Sequence, residues 1–471
     1  MSYGMTNRAV PYDSSGLLDF GVHWPSMANG LNGTVVLFLC ASCLTAQELP
    51  LDEAVQLALQ HNVDIANTTL DVSKAKHRSA AFRSLLFPKL STYMLGSEQL
   101  QAVDITIPRG SLLAPGTYPG VGPIPAQDVK YSTPIQPTGF FLGRVVQPLS
   151  GLYRTRLSLK ALNFSTQLAQ QKTRSKRQDV VRNVKQLYYN IEQVQSSLLA
   201  TRETVKLYKE VERVTNDYVL KQTALESELL QSQASVADAE QSELALSNQE
   251  AKQKEQLNDL LGRDVLIDFS VSAIGEEASN PDIDLVAARK KALSQRPEIQ
   301  QARLKTMQSE QELRAKRAEY IPDISAEFNS ITLLNFNSFL PGGTYSVGVS
   351  LSWEPFDWGR KKNEVGEKRD SVAQDKNTEA SAQRKVIMDV DNTYRQMQQS
   401  YSKLRAARLS QRAAFENLRV DKNEYEVHAA LLKVVFQAQT TLAQANSDYQ
   451  HALADYWSSK AEFEHALGED Q

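Results

Sequence analysis

The chain has 471 residues, with 52 basic and 55 acidic side chains and a formal net charge of −3. A near-neutral chain without a basic excess does not fit nucleic-acid binding, so we expect no nucleic-acid partner. The 17 prolines and 21 glycines are clustered, which leaves long windows free of both residues and favours extended helices.

An apolar run near the N-terminus contains both cysteines, Cys40 and Cys43. It reads TVVLFLCASCLTA over residues 34–46. This length is typical of the apolar core of a signal peptide and is too short for a membrane-spanning helix. The run therefore indicates an exported protein.

We expect residues 1–46 to be an N-terminal extension and signal peptide, cleaved near Ala46, with Met1 or Met27 as the start. Lipidation of Cys43 is the alternative. After this run the sequence has no apolar stretch long enough for a spanning helix, and any membrane crossing is expected to use strands.

Two helices and a strand are predicted next. LPLDEAVQLALQHN, residues 49–62, has acidic residues in its first turn and apolar residues on one face, which favours a helix. A second helix is predicted from Val63 to Leu86, where Phe87-Pro88 stops it. Residues 89–99 are predicted to be a strand.

The second half of the chain repeats the first. Pro88 and Pro322 stand 234 positions apart, and further on the offset becomes 206, as between Gly262 and Gly468. The offset changes between the two strands of each half, where the first half has a Pro/Gly-rich loop over about 102–137. We therefore predict a first repeat at 47–262, a connector at 263–283 and a second repeat at 284–471.

A strand with two unlike faces is predicted in the second repeat, within GTYSVGVSLSWEPFDWGR at residues 343–360. From Thr344 to Trp353, apolar residues alternate with small hydroxyl residues and glycine. A soluble sheet shows the same alternation. A tilted strand of about ten residues is also long enough to cross a bilayer.

Two very long helices are predicted, at 149–218 and 359–425, each reaching roughly 100 Å. Such helices need a partner along their length. The last helix carries a heptad seam for this contact: Leu431, Val435, Ala438, Leu442, Ala445, Tyr449, Ala452, Tyr456, Ser459, Phe463 and Ala466. The equivalent helix of the first repeat starts the same seam at Leu225 but breaks it at Glu243.

Four strands per chain cannot close a membrane barrel, since such barrels start at eight strands. An open sheet edge has no water in lipid to satisfy its backbone groups. If the strands cross a membrane, several copies must therefore share one barrel, and the long helices would continue it as a helical tube.

These stretches resemble the TolC-like outer-membrane efflux proteins of Gram-negative bacteria. The resemblance is carried by LPLDEAVQLALQHN, LLFPKLSTY, EYIPDISAEF, SLSWEPFDWGRK, YEVHAALLKVVFQAQTTLAQANSDY and the two Leu-Gly pairs. It implies a mainly α fold with a small β part, used as a homotrimer with a 12-stranded β-barrel in outer-membrane lipid and a periplasmic α-helical barrel. It also implies docking to a periplasmic adaptor and an inner-membrane pump.

The resemblance implies an exit duct of a tripartite efflux or type I secretion system, moving drugs, toxic compounds or metals from periplasm to exterior. An outer-membrane duct for secreted proteins would use the same architecture. An exported coiled-coil scaffold is an alternative of another class, although it leaves the amphipathic strands and the export signal unexplained.

The resemblance also points to the turns at the far ends of the helix pairs. Family members often have glycine there, whereas this sequence has none. The expected adaptor-contacting tips are Lys221, Gln222, Thr223, His428 and Ala429. Asp421, Glu424 and Glu426 are candidates for a periplasmic gate, because threefold copies would form acidic rings; a solvated acidic helix end is the other interpretation.

Catalytic and cofactor signatures do not emerge. The six histidines form no ligand-spaced cluster, and the sequence has no Gly-rich phosphate loop and no GxSxG motif. We expect neither an enzyme nor a bound metal or cofactor.

Overall fold

The computed structural model describes residues 47–98, 100–133, 135–223, 225–273, 275, 283–335, 342–427, 429 and 432–470. The predictions for the signal peptide, its cleavage site and lipidation at Cys43 lie outside the described residues, as does His428.

Long helices dominate the described chain. The helices are α1 (Leu51–His61), α2 (Val63–Arg83), α3 (Gly151–Leu220), α4 (Glu226–Leu261), α5 (Leu285–Gln295), α6 (Pro297–Arg317), α7 (Arg360–Glu426) and α8 (Leu432–Leu467). The strands are β1 (Gln47–Leu49), β2 (Lys89–Glu98), β3 (Val103–Ile107), β4 (Val129–Thr133), β5 (Pro137–Pro148), β6 (Phe269–Val271), β7 (Asp323–Leu334) and β8 (Gly343–Ser352). The predicted elements that carry the resemblance are confirmed, with boundaries shifted by only a few residues.

The internal repeat is visible in the element lengths. Helices α1 and α5 each have 11 residues, α2 and α6 each have 21, and α4 and α8 each have 36. The long helices α3 and α7 have 70 and 67 residues. Each half also makes one short 3-10 turn before its first long strand, Ser84–Leu86 and Ala318–Tyr320.

The strands of both halves join in one antiparallel sheet of order β2-β5-β7-β8. Each half supplies one hairpin, and the two hairpins meet at β5 and β7. The alternating strand of the second half is confirmed over Gly343–Ser352, so that Trp353 lies just beyond its end.

Two predicted irregular segments contain short strands that the sequence did not indicate. The loop near 102–137 holds the antiparallel pair β3 and β4. The connector near 263–283 holds β6, which pairs parallel with β1. Strands of three to five residues are too short for a recognisable period, and their stability depends on distant partners.

Helix pairs supply the core. The predicted seam of α8 is confirmed: Leu442 is half-buried, and the other described seam residues are buried: Val435, Ala438, Ala445, Tyr449, Ala452, Tyr456, Ser459, Phe463 and Ala466. The break at Glu243 also has a physical reason. Its carboxylate accepts a hydrogen bond from Arg202 of α3 at 3.1 Å, so an ion pair replaces the apolar contact there.

None of the helices in the described chain is both long enough and apolar enough to cross a membrane.

Candidate functional site: the exposed sheet and the far ends of the helix pairs

The four-stranded sheet has two unlike faces. Its register places Val347 beside Phe328 and Val349 beside Ala326 on one face, while Ser346 lies beside Asn329 on the other. The apolar face is uncovered in the single chain, and Val347 is 84% exposed. Since soluble surfaces rarely expose so large an apolar patch, this face requires a covering of lipid or protein.

The sheet is also open at both edges. Strands β2 and β8 are the outermost strands of the order β2-β5-β7-β8, so each has one partner within the described chain. Both are ten residues long. Such long edges leave a row of backbone donors and acceptors that can pair with another strand.

The turn that joins α3 to α4 forms without glycine. Gln222 adopts a left-handed φ of 59°. Its N–H donates to the carbonyl of Val219 at 2.9 Å, and the N–H of Thr223 donates to the carbonyl of Tyr218 at 2.9 Å. These bonds form a Schellman ending, in which glutamine occupies the position where glycine is usual. The three predicted tip residues Lys221–Thr223 thus lie together in one turn.

The second tip repeats the longer-range of these two bonds. The N–H of Ala429 donates to the carbonyl of Glu424 at 2.8 Å. Ala429 lies 206 positions after Thr223, and Glu424 lies 206 positions after Tyr218. The same backbone hydrogen bond, which spans six residues, therefore closes both turns. One predicted tip residue and one predicted gate residue are therefore directly linked.

The candidate gate residues lie at the end of α7. Asp421 is half-buried and Glu424 is exposed. Their spacing of three residues places both carboxylates on one helix face. Glu426 is the last residue of α7.

A groove of about 420 Å³ runs between α3, α4 and α8. Its walls are mostly small and hydroxyl side chains, including Ala200, Thr204, Ser235, Ser242 and Ala443. Small residues allow close approach of another helix backbone. The sequence pattern does not indicate this groove, because its walls come from three separate helices.

An exposed aromatic pair follows β8 and was also missed as a functional feature. The rings of Phe356 and Trp358 pack edge to face, with 4.8 Å between their centroids. Trp358 is 89% exposed and has a φ of 55°. Asp357 fastens this segment to α7, since its carboxylate accepts the N–H groups of Gly359 and Lys361. Exposed aromatic rings at strand ends are typical of membrane interfaces.

Within the described residues, no cluster of His, Cys, Asp or Glu has an arrangement that could hold a metal ion.

Comparisons with known proteins agree with this geometry. The sequence matches the family "Outer membrane efflux protein" over residues 54–263 and 288–469. A comparison with curated proteins finds no significant match.

Three solved structures have a similar fold. The Campylobacter jejuni CmeC outer membrane channel has a TM-score of 0.74 at 16% identity, covering 89% of this chain and 85% of that one. A membrane protein from Pseudomonas aeruginosa gives 0.73 at 18% identity, covering 90% and 91%. The open state of the Neisseria gonorrhoeae MtrE outer membrane channel gives 0.68 at 17% identity, covering 89% and 88%.

The family match covers both halves of the repeat, and the fold is that of outer-membrane channels. The chain therefore belongs to the outer membrane efflux protein family and is an efflux protein of the bacterial outer membrane.

Proposed function

We propose that three copies pool their sheets into a 12-stranded barrel in outer-membrane lipid and that this barrel is the exit of an efflux duct. The observation that carries the proposal is the four-stranded sheet with two open edges and one exposed apolar face. Pairing β8 of one copy with β2 of the next satisfies the backbone of both edges, which lipid alone cannot do.

The helices supply the rest of the duct. Helices α3 and α7 follow β5 and β8 and extend roughly 100 Å at 1.5 Å per residue. With α4 and α8 packed against them, three copies form a helical barrel in the periplasm. In this arrangement 47–262 and 284–471 act as the two repeats, and 263–283 is the connector between them.

The test of conduction is direct. Purified protein is added to planar bilayers, and single-channel currents are recorded. We expect discrete conductance steps. In intact cells, we expect antibodies and proteases to reach the chain only at the ends of the sheet that lie far from the helices. A protein that inserts but carries no current would contradict the proposal.

We propose that the duct serves a tripartite system with a periplasmic adaptor and an inner-membrane pump. The groove between α3, α4 and α8 fits a helix of such an adaptor. The turns at Lys221–Thr223 and at Ala429 lie at the end of the duct that faces the pump. His428 belongs to the same tip by sequence position.

Filling the groove tests this docking. Ala443→Trp places a bulky ring among the small wall residues and is expected to abolish adaptor cross-linking while leaving conductance intact. Gln437→Trp is the matched control, because Gln437 is exposed on the same helix outside the groove. Equal cross-linking of both variants would rule out the groove.

We propose Asp421, Glu424 and Glu426 as the periplasmic gate, where three copies form acidic rings that bind cations. Asp421→Asn with Glu424→Gln is expected to relieve block by divalent cations. Glu416→Gln is the control, since Glu416 pairs with Arg419 on the same helix. Unchanged block and selectivity in the double variant would leave a solvated helix end as the role of these residues.

We propose small molecules as the cargo, because the chain belongs to the outer membrane efflux protein family. Deleting the gene is expected to raise sensitivity to several drugs or metals and to leave the profile of secreted proteins unchanged. The reverse result would assign the duct to protein secretion.

A further inference from the structure

Charge is distributed unevenly in the four-stranded sheet. Strands β2, β5, β7 and β8 are described in full and contain five charged residues: Lys89, Glu98, Arg144, Asp323 and Glu327. Three of these stand at the first or last position of a strand. Arg144 and Glu327 alone lie inside a strand, and they lie on neighbouring strands.

These two residues are paired. Nη2 of Arg144 donates to both carboxylate oxygens of Glu327, at 2.9 and 2.8 Å. Ser350 adds a third hydrogen bond, from its hydroxyl to Oε1 of Glu327 at 2.7 Å. The cluster therefore links β5, β7 and β8 through side chains as well as backbone.

The register decides which face carries the cluster. Arg144 lies opposite Asn329, which lies opposite Ser346, and Glu327 lies opposite Gly348. All belong to the face that carries the small hydroxyl residues of β8, on the other side from Val347. A Cβ at Gly348 would have no atom within 4 Å, so the space above the pair is open. The Arg144 side chain is 54% exposed.

We propose that the Arg144–Glu327–Ser350 cluster lines the conduction path and contributes to its ion selectivity at this level. The inference rests on the proposed barrel, in which the face with Val347 meets lipid and the opposite face, with Ser346, encloses water. Three copies form a ring of three ion pairs at one level of the path. Because each pair is neutral, this level passes solutes of either sign.

Reversal potentials in a KCl gradient test this assignment. Glu327→Gln leaves three guanidinium groups without a partner and is expected to favour chloride, whereas Arg144→Gln leaves three carboxylates and is expected to favour potassium. For charges about 10 Å from the path axis at about 0.1 M salt, we expect the permeability ratio to change about two- to fourfold, in opposite directions. At about 1 M salt the change is expected to be largely lost.

Two controls accompany the single variants. The exchange Arg144→Glu with Glu327→Arg restores a neutral pair and is expected to return the ratio to that of the unmodified channel. Asp71→Asn removes one carboxylate from an ion pair of similar length, 2.9 Å, on α2 outside the sheet, and is expected to change nothing.

A second measurement leaves the ion pair intact. Ser346→Cys is expected to react with a charged, membrane-impermeant thiol reagent and to lose conductance, whereas Val347→Cys is not. Either measurement can overturn the inference. The first does so if both single variants have the reversal potential of the wild type, and the second does so if the reagent blocks Val347→Cys instead of Ser346→Cys. If the unmodified protein conducts and either contradicting result is obtained, the proposed duct still stands and only the role of the cluster is wrong.

Discussion

The α-carbon of Gly262 lies against the backbone of His61 so closely that a Cβ there would stand 2.3 Å from the His61 carbonyl oxygen. Gly262 ends α4 with a left-handed φ of 68°. The second repeat copies this contact, since a Cβ on Gly468 would lie 3.0 Å from the backbone nitrogen of Arg296. Each repeat thus docks the end of its second long helix on the junction of its two short helices.

Gly262→Ala is therefore expected to destabilise the protein. The left-handed φ and the collision with backbone atoms together cost about 2 kcal/mol or more. The measurement is the apparent unfolding temperature in detergent. Gly366→Ala is the control, because that glycine lies within α7 with no atom within 4 Å of its Cβ position, and alanine there is expected to be neutral or stabilising. Equal stabilities would refute the docking role of Gly262.

Tyr188→Phe is expected to loosen the β1–β6 pair. The buried Tyr188 hydroxyl donates to the carbonyl of Leu49 at 2.8 Å and accepts from the N–H of Ser272 at 2.9 Å. Its loss leaves buried backbone groups without a partner, at a cost of about 1–3 kcal/mol. Hydrogen exchange at the Ser272 amide is expected to accelerate.

The equivalent variant of the second repeat, Tyr394→Phe, provides the comparison. The half-buried Tyr394 accepts a hydrogen bond at its hydroxyl from the exposed Gln398 of its own helix, so water can replace that bond and a smaller loss is expected. Similar losses at both tyrosines would contradict this explanation.

Gln222→Gly is expected to stabilise the first tip by about 1 kcal/mol, because glycine adopts the left-handed φ without steric cost. Gln222→Val is expected to have the opposite effect, since branching at Cβ makes this conformation more costly. Rates of limited proteolysis at the tip measure both changes. Identical rates for glycine and valine would show that Gln222 is not held in the described turn.

Stability at low pH is expected to depend on Asp179, which joins α3 to α8. The hydrogen bond with His465, at 3.1 Å, holds the pKa of the Asp179 carboxyl below its usual 3.8, against the opposing effect of burial. A lowered folded-state pKa stabilises the protein above the unfolded-state pKa, and this contribution is lost as the pH falls through the folded value.

The difference between the unfolding temperatures of wild type and Asp179→Asn is therefore expected to shrink as the pH falls from about 5 to below 3.8. A difference that stays unchanged down to about pH 3 would contradict the assignment.

Much of the architecture follows from local pattern in the sequence. The seam through Tyr449 and Tyr456 repeats often enough to predict helix pairing, and the alternation from Thr344 predicts a two-faced strand. Pro88 and Pro322 place the strand starts of both halves. These features depend on residues that are close in sequence, so no knowledge of the tertiary structure is needed.

The remaining features depend on register and on distant partners. The pairing of Arg144 with Glu327 joins residues 183 positions apart and appears only when the alignment of β5 and β7 is known. The same holds for the ion pair of Glu243 with Arg202. The turn at Lys221–Thr223 was expected, but the left-handed φ of Gln222 was not predictable, because glutamine carries no local signal for it.

The number of chains in the particle extracted from membranes tests the central claim most directly. Native mass spectrometry of the purified protein in detergent is expected to give the mass of three chains, because only shared strand pairing satisfies the open edges of β2 and β8. A particle with the mass of one chain, stable and soluble without detergent, would contradict the account.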